Sequence, residues 1–335
     1  MIAAAWAHLD ALAKPRRSLG RLETLAVRLA TIQQRLDPIV RPRRLVLFAG
    51  DHGVIAQGVS AWPSAVTGLM VDTILTGRAT SSALAAAQGC ELRLIDVGVS
   101  SPPPHSPPTF YRHARVRDGT RDLALGPAMT LAEFDAAWQV GADEAQAAVG
   151  DGVRVLIAGE MGIGNTTPAA CLTALLADTD PEQATGRGAG ADDATLAAKR
   201  RVVATAMVRA RTQPDRRAAI AEVAGFEIAA MAGFFAEGAR LGATLLLDGY
   251  VATAAALIAE ALRPGTAHAM IAAHRSAEPG HAAALAHLGL EPLLEWEMRL
   301  GEGTGALVAL PLLDSAVALL TGVARLDELG TGRAD

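Results

Sequence analysis

Five short apolar runs decide what this chain can fold into. "RRLVLFAG" (43–50), "ELRLIDVGV" (91–99), "VRVLIAGE" (153–160), "ATLLLDG" (243–249) and "AHAMIAAH" (267–274) carry Val, Leu and Ile continuously rather than at alternate positions. That is the pattern of strands buried on both faces. Between them lie Ala-rich segments with helical spacing, over 129–149, 192–211, 218–240 and 250–262. Strands that alternate with helices predict an α/β fold, a doubly wound parallel sheet covered by helices on both sides. The chain up to about residue 36 reads as one or two helices, and "GALVALPLLDSAVALLTGVARL" near the other end as another. The two termini are expected to pack together as a small helical domain, 1–36 with about 306–335, against an α/β body of 37–305. "SSPPPHSPPTF" (100–110) can continue neither a strand nor a helix and predicts an exposed loop.

Composition narrows the function classes. A net charge of −5 over 335 residues leaves no footprint for nucleic acid. Cys90 and Cys171 are too few and too far apart for a disulfide framework, which suits a reducing cytoplasm. The N-terminal stretch has Asp10 in its apolar part and no basic region ahead of it, so it does not read as a signal peptide. The uncharged runs at 53–71 and 161–177 are broken by Gly, Pro, Ser, Asn and Thr and do not read as membrane spans.

In an open parallel sheet, ligands sit beyond the carboxyl ends of the strands. Here the predicted strand tips carry Asp51 and His52; Glu160 with Gly162, Gly164, Asn165 and Thr166; Asp248; and His274, Arg275, Ser276 and Glu278. "GEMGIGNTTPAA" reads as an anion nest, with glycines that let the backbone approach a ligand and Asn165, Thr166 and Thr167 available to cap the next helix. It lacks the GK[ST] ending of a P-loop, so a monophosphate ester fits better than a triphosphate. "GRGAGADDATLAAKR" (186–200) and "GEGTGA" (301–306) match a loose G-x-G-x-x-A, but neither follows a strand, and a dehydrogenase is disfavoured. Lys199, on the helix after the first of these, is within reach of a phosphate. The histidines show no metal-ligand spacing, so no metal and no cofactor is expected; His52, His274 and His281 read as buried, hydrogen-bonded groups. Read alone, Glu302 in "RLGEGTGA" (299–306) is either a helix-start carboxylate favoured by the dipole or a catalytic group.

"LDALAKPRRSLGRLE", "FAGDHGV", "GVSAWP", "GTRDLALGPAMT", "GEMGIGNTTPAA", "GFEIAAMAG", "DGYVATAAAL", "AAHRSAEPGH" and "RLGEGTGALVALPLL" occur in that order from about residue 8 to 328. This succession resembles the motifs of the nicotinate-nucleotide:dimethylbenzimidazole phosphoribosyltransferase family. The resemblance implies a Rossmann-like sheet, a small helical domain built from both termini and a homodimer. It also implies transfer of phosphoribose from nicotinate mononucleotide to 5,6-dimethylbenzimidazole, giving α-ribazole 5′-phosphate and nicotinate, without a metal, in assembly of the lower nucleotide loop of cobalamin. By position, Glu302 matches the catalytic base and Glu160 a second active-site acid. Gly162, Gly164, Asn165, Thr166, Lys199, Ser276, Gly301 and Gly303 match the surroundings of the nucleotide and its phosphate, and Ser60, Trp62 and Met161 the base pocket. The glycines beside Glu302 would leave room for a flat ring, and the helix start would keep its carboxylate ionised.

The chain departs from that family pattern where Gln is usual near Ser64 and Gly68, which predicts a wider pocket and admits other benzimidazoles, purines or phenolic bases as acceptors. Asp122 and Ala189 are further departures. Two other readings stay open: a nucleotide-binding module with reduced catalysis, and a nucleotide hydrolase with water in the acceptor pocket.

Overall fold

The computed structural model describes residues 1–329, so the last six residues of the proposed terminal unit, 330–335, lie outside the described residues. Six strands form one sheet: β1 (Arg43–Gly50), β2 (Glu91–Gly98), β3 (Tyr111–His113), β4 (Val155–Met161), β5 (Thr244–Leu247) and β6 (Met270–Ala272). All neighbours pair in parallel, in the order β3-β2-β1-β4-β5-β6. This is the doubly wound arrangement expected, with the strand order reversing between β1 and β4. The continuous apolar runs reflect burial on both sides: all eight residues of β1 are buried. Its Val46 and Phe48 enter one core cluster, and Leu45, Leu47 and Ala49 enter the other.

The two faces are covered differently. Over the Phe48 face lie helices Leu131–Gly150, Phe226–Arg240 and Tyr250–Leu262. Over the Leu45 face lie helices from both ends of the chain, Ile2–Asp10, Arg21–Gln33 and Thr304–Gly322. The termini meet directly, since the Ala13 N–H donates to the Ala324 carbonyl at 2.8 Å and the Leu326 N–H to Ala11 at 2.9 Å. They share their core with the sheet: Leu9, Leu29, Leu310 and Leu313 belong to the same cluster as Leu45, Leu47 and Ile157. Buried Arg43, at the start of β1, holds Thr304–Gly322 in place through Asp314 at 3.0 Å. By length and composition that helix could cross a bilayer, but half of it is buried inside the molecule.

Two expectations are corrected in detail, and one strand lies where none was expected. The segment 218–240 is two helices, Arg216–Val223 and Phe226–Arg240, because the chain extends through Ala224 and Gly225. A Cβ at Gly225 would lie 2.5 Å from His52 Cε1, so the break lets Glu227 meet His52. The run at 267–274 opens with a 3₁₀ turn, Thr266–Ala269, before its three-residue strand. Edge strand β3 follows the Pro-rich loop and carries too few residues to show a period.

Helices Leu131–Gly150 and Phe226–Arg240 touch backbone to backbone. A Cβ at Gly141 would sit 1.7 Å from the Ala230 carbonyl oxygen, and one at Gly233 2.0 Å from that of Trp138. A backbone obstacle cannot rotate away as a side chain does. Gly141→Ala is therefore expected to destabilise the protein by about 3 kcal/mol or more in urea denaturation, the upper part of the usual overpacking range.

Candidate active site

A cleft opens over the carboxyl ends of β4, β5 and β6, beside the point where the strand order reverses. Its walls bring together Ser60, Glu160, Met161, Gly162, Gly164, Asn165, Thr166, Lys199, Ser276, Gly301 and Glu302. Two residues expected there lie outside the lining. Gly303 is turned inward, where a Cβ would meet Leu45 Cδ1 at 2.5 Å. Trp62 stands 52% exposed, and its indole Nε1–H donates to the Ala189 carbonyl at 3.3 Å. It ties the Ser60 loop to the 186–191 loop rather than forming a wall.

The turn that carries Glu302 is held in an unusual shape. Gly301, Glu302 and Gly303 all have positive φ, +91°, +57° and +74°. For a residue with a side chain this costs on the order of 1 kcal/mol and persists only where the surroundings impose it. Asp248, at the tip of β5, imposes it from one side: its carboxylate accepts from the backbone N–H groups of Gly303 (3.1 Å), Gly305 (2.7 Å) and Ala306 (3.2 Å). Burial works against this anion, yet His274 and those amides hold its carboxyl below the ordinary aspartate value. Gly159 makes room for it from below, since a Cβ there would lie 2.6 Å from the Glu302 carbonyl carbon.

The glycine-rich helix start is thus occupied by an internal carboxylate, and it does not serve Glu302 as expected. The Glu302 side chain reaches instead to a different helix, Thr80–Ala87, where Ser81 Oγ–H donates to Oε2 at 2.7 Å. Nor do the flanking glycines leave space for a ring: a Cβ at Gly301 would lie 2.2 Å from Glu160 Oε1. Glycine at 301 lets the second carboxylate lie under the turn.

Glu160 is held by the Asn165 side-chain amide, which donates to its Oε2. The Oε1 atoms of Glu160 and Glu302 accept no hydrogen bond from the described residues, and both side chains line the same cleft. Burial and the carboxylates of Glu227, Asp248 and Glu302 push the Glu160 carboxyl well above the ordinary glutamate range, against the pull of Asn165. Behind this pair, His52 Nε2 meets Glu227 Oε1 at 2.9 Å, both buried. Burial disfavours the imidazolium, but Glu227 outweighs it and His52 lies above its ordinary value.

The expected caps of helix Thr166–Leu176 are absent. Asn165 takes the cap position without a side-chain cap bond, its amide being committed to Glu160. Thr166 Oγ1 accepts from Lys199 Nζ at 2.6 Å, and Thr167 Oγ1 is buried without a partner. Glycine is required at 162 and 164 by β1 and the turn after it, since Cβ atoms there would meet the Gly50 carbonyl at 2.4 Å and Ile55 Cδ1 at 2.6 Å. Lys199 Nζ also donates to the Gly186 carbonyl at 3.1 Å. Burial pulls its pKa down to about 8, with partial compensation from Glu278. Glu278 accepts from the Gly188 N–H at 2.8 Å, so it fixes the loop that closes over Lys199.

On the far wall, burial and His274 push His281 down to about 3, leaving a neutral ring. Its Nδ1 accepts from the Ser276 N–H at 2.8 Å, so the proton sits on Nε2 and is donated to Thr253 Oγ1 at 2.8 Å. Thr253 in turn donates to the Gly249 carbonyl, which fixes the 249 and 276 backbones together. The space expected at Gly68 is filled from the Pro-rich loop, where Ser101 Oγ lies 2.2 Å from the position of a Cβ. Ser64 is used by Asp51 at 2.8 Å. Among the described residues no group of three His, Cys, Asp or Glu side chains could hold a metal ion.

Ser81, the Asp248 cap, the His52–Glu227 pair and Glu278 are the functional features that sequence reasoning did not assign. Asp248, His52 and Glu278 stood at strand tips, a visible signal; Ser81, in "TSSALAAA", gave none.

Fold and site together define a doubly wound α/β protein with an acid-rich cleft at its switch point, the place where such proteins bind nucleotides. Residues 1–330 match the family described as phosphoribosyltransferase. The nicotinate-nucleotide–dimethylbenzimidazole phosphoribosyltransferase of Chromobacterium violaceum is 47% identical over 328 residues, covering 98% of this chain and 94% of that protein. The protein of the same name from Thermus thermophilus is 44% identical over 326 residues, covering 97% and 96%. A crystal structure of CobT from Thermus thermophilus matches with a TM-score of 0.95 at 44% identity, covering 99% of each chain. The chain belongs to the nicotinate-nucleotide–dimethylbenzimidazole phosphoribosyltransferase family.

The raised Glu160 carboxyl has a consequence for stability. A carboxyl whose folded value exceeds its unfolded one contributes fully below the unfolded value, and the contribution is lost as pH rises through the folded value. Glu160→Gln is therefore expected to raise Tm by roughly 1–2 °C at pH 8.5, about 1 kcal/mol, with a smaller gain at pH 5. Thermal denaturation at the two pH values checks this.

Proposed function

We propose that this protein transfers the phosphoribosyl group of nicotinate mononucleotide to 5,6-dimethylbenzimidazole or a related base, yielding α-ribazole 5′-phosphate and nicotinate, in assembly of the lower nucleotide loop of cobalamin. One observation carries the reading: two buried carboxylates, each with one oxygen free of hydrogen bonds to the described residues, line a cleft that Lys199 also lines. The relatives named above bear this activity in their names.

In this reading a ring nitrogen of the acceptor attacks C1′, and the bond from C1′ to the nicotinate nitrogen breaks with its electron pair returning to the departing ring. The N–H proton of the acceptor passes to Glu302 Oε1, leaving its bonding pair on the ring. The Glu160 carboxyl, raised by burial and the neighbouring carboxylates against the pull of Asn165, shifts toward its anion once a cationic pyridinium ring or an oxocarbenium-like C1′ lies beside it. The 5′-phosphate takes Lys199, Thr166 and the Gly162–Asn165 loop, with Ser276 on the far wall. A homodimer, a cytoplasmic setting and a division into terminal helices and α/β body belong to the same reading; the free, buried Cys90 and Cys171 suit a reducing compartment.

Glu302→Gln is expected to lower kcat by about 10²–10⁴ with nicotinate mononucleotide still bound. Chromatography of a mixture of the nucleotide with several bases is the readout. A ribosylated base supports transfer, free ribose phosphate would mean hydrolysis, and unchanged nucleotide would mean a binding module.

Lys199 supplies a separate check. With its pKa near 8, about half of the side chain is neutral at pH 8, and a phosphate dianion favours the ammonium form. At pH 8 Lys199 should take up roughly half a proton on binding, so the buffer dependence of the calorimetric enthalpy should differ between wild type and Lys199→Ala by about half a proton, whatever proton Glu160 gives up in both. Lys199→Ala should remove that share and weaken binding; unchanged binding would remove Lys199 from the phosphate site.

A further inference from the structure

The geometry points to Ser81 as a positioning residue for the base, an assignment that rests on Glu302 taking the acceptor's proton. Glu302 has two carboxylate oxygens, and proton transfer in a fixed geometry needs one of them aimed at the acceptor. Its backbone is fixed by the left-handed turn, by Gly159 beneath and by the Asp248 cap, but none of these contacts touches the carboxylate itself. Among the described residues one side chain does bond to it: Ser81 Oγ, donating to Oε2 at 2.7 Å from a fully buried position.

A hydroxyl suits this task because it donates a single bond and brings no charge of its own. An ammonium or guanidinium in its place would stabilise the carboxylate so strongly that it became a poor base, whereas an apolar side chain would leave the carboxylate free to rotate. Ser81 is the second residue of helix Thr80–Ala87, whose first turn has no side-chain cap. With Oε2 committed to Ser81, Oε1 is the oxygen left facing the cleft, and the proton arrives there without disturbing the Ser81 bond.

The test compares Ser81→Thr with Ser81→Val, two side chains of the same shape that differ in the hydroxyl. The expected result is kcat at least about 10-fold lower for the Val variant than for the Thr variant, with KM for nicotinate mononucleotide equal within about twofold. Equal kcat in the two overturns the assignment, and the comparison holds even if both lose some stability to the added methyl. A second arm uses Ser81→Ala alone and combined with Glu302→Gln. A residue acting only through Glu302 adds no further loss once the carboxylate is gone, so a double variant slower than Glu302→Gln alone overturns the assignment. If Glu302→Gln itself keeps full turnover, the base reading fails and Ser81 falls with it. If Glu302→Gln is slow while the Thr and Val variants match, only the Ser81 assignment fails.

Discussion

The site depends on the bonds between one buried aspartate and three backbone amides. Asp248 ends β5 and caps the start of helix Thr304–Gly322, which turns a helix terminus prepared for an anion into an internal joint. The joint fixes the helix against the sheet and leaves the three residues before it no regular conformation, so the chain passes through 301–303 in the left-handed region. Glu302 is thereby lifted over Gly159 and out into the cleft. A phosphate would find the amides of Gly303, Gly305 and Ala306 already taken. In the function proposed, its partners are Lys199 and Thr166, which line the same cleft.

The two carboxylates of the cleft are chemically alike and differently placed. Glu160 faces Glu227, Asp248 and Glu302, and burial raises its carboxyl further. Glu302 rests on a serine hydroxyl at the positive end of a helix. Lys199 lies in the same lining, buried, with Glu278 compensating part of the cost of its charge.

Much of the frame was legible in the sequence because its signals are local. Residues 43–50 and 250–262 coincide with a strand and a helix, since apolar period and composition there agree with burial. The strand tips announced Glu160, Asp248 and Ser276. What escaped is set by distant pairings. Gly225 interrupts a helical period because Glu227 must meet His52, 175 positions away, and Ser81 matters because the fold lays it against a residue 221 positions later. The glycines of 301–303 were legible as special backbone, but their neighbours Glu160 and Leu45 were not.

The covering of one sheet face by both ends of the chain bears on the order in which the molecule is made. A ribosome releases Leu45, Leu47 and Ala49, together with helices Ile2–Asp10 and Arg21–Gln33, well before the helix that completes this face, which follows all six strands. Until then the β1 face is only partly covered, and Asp248 has no amides to cap. Closing the core and assembling the site are a single late event, so a nascent chain stalled before residue 304 would be both sticky and inert, and protein quality control would meet the two defects together.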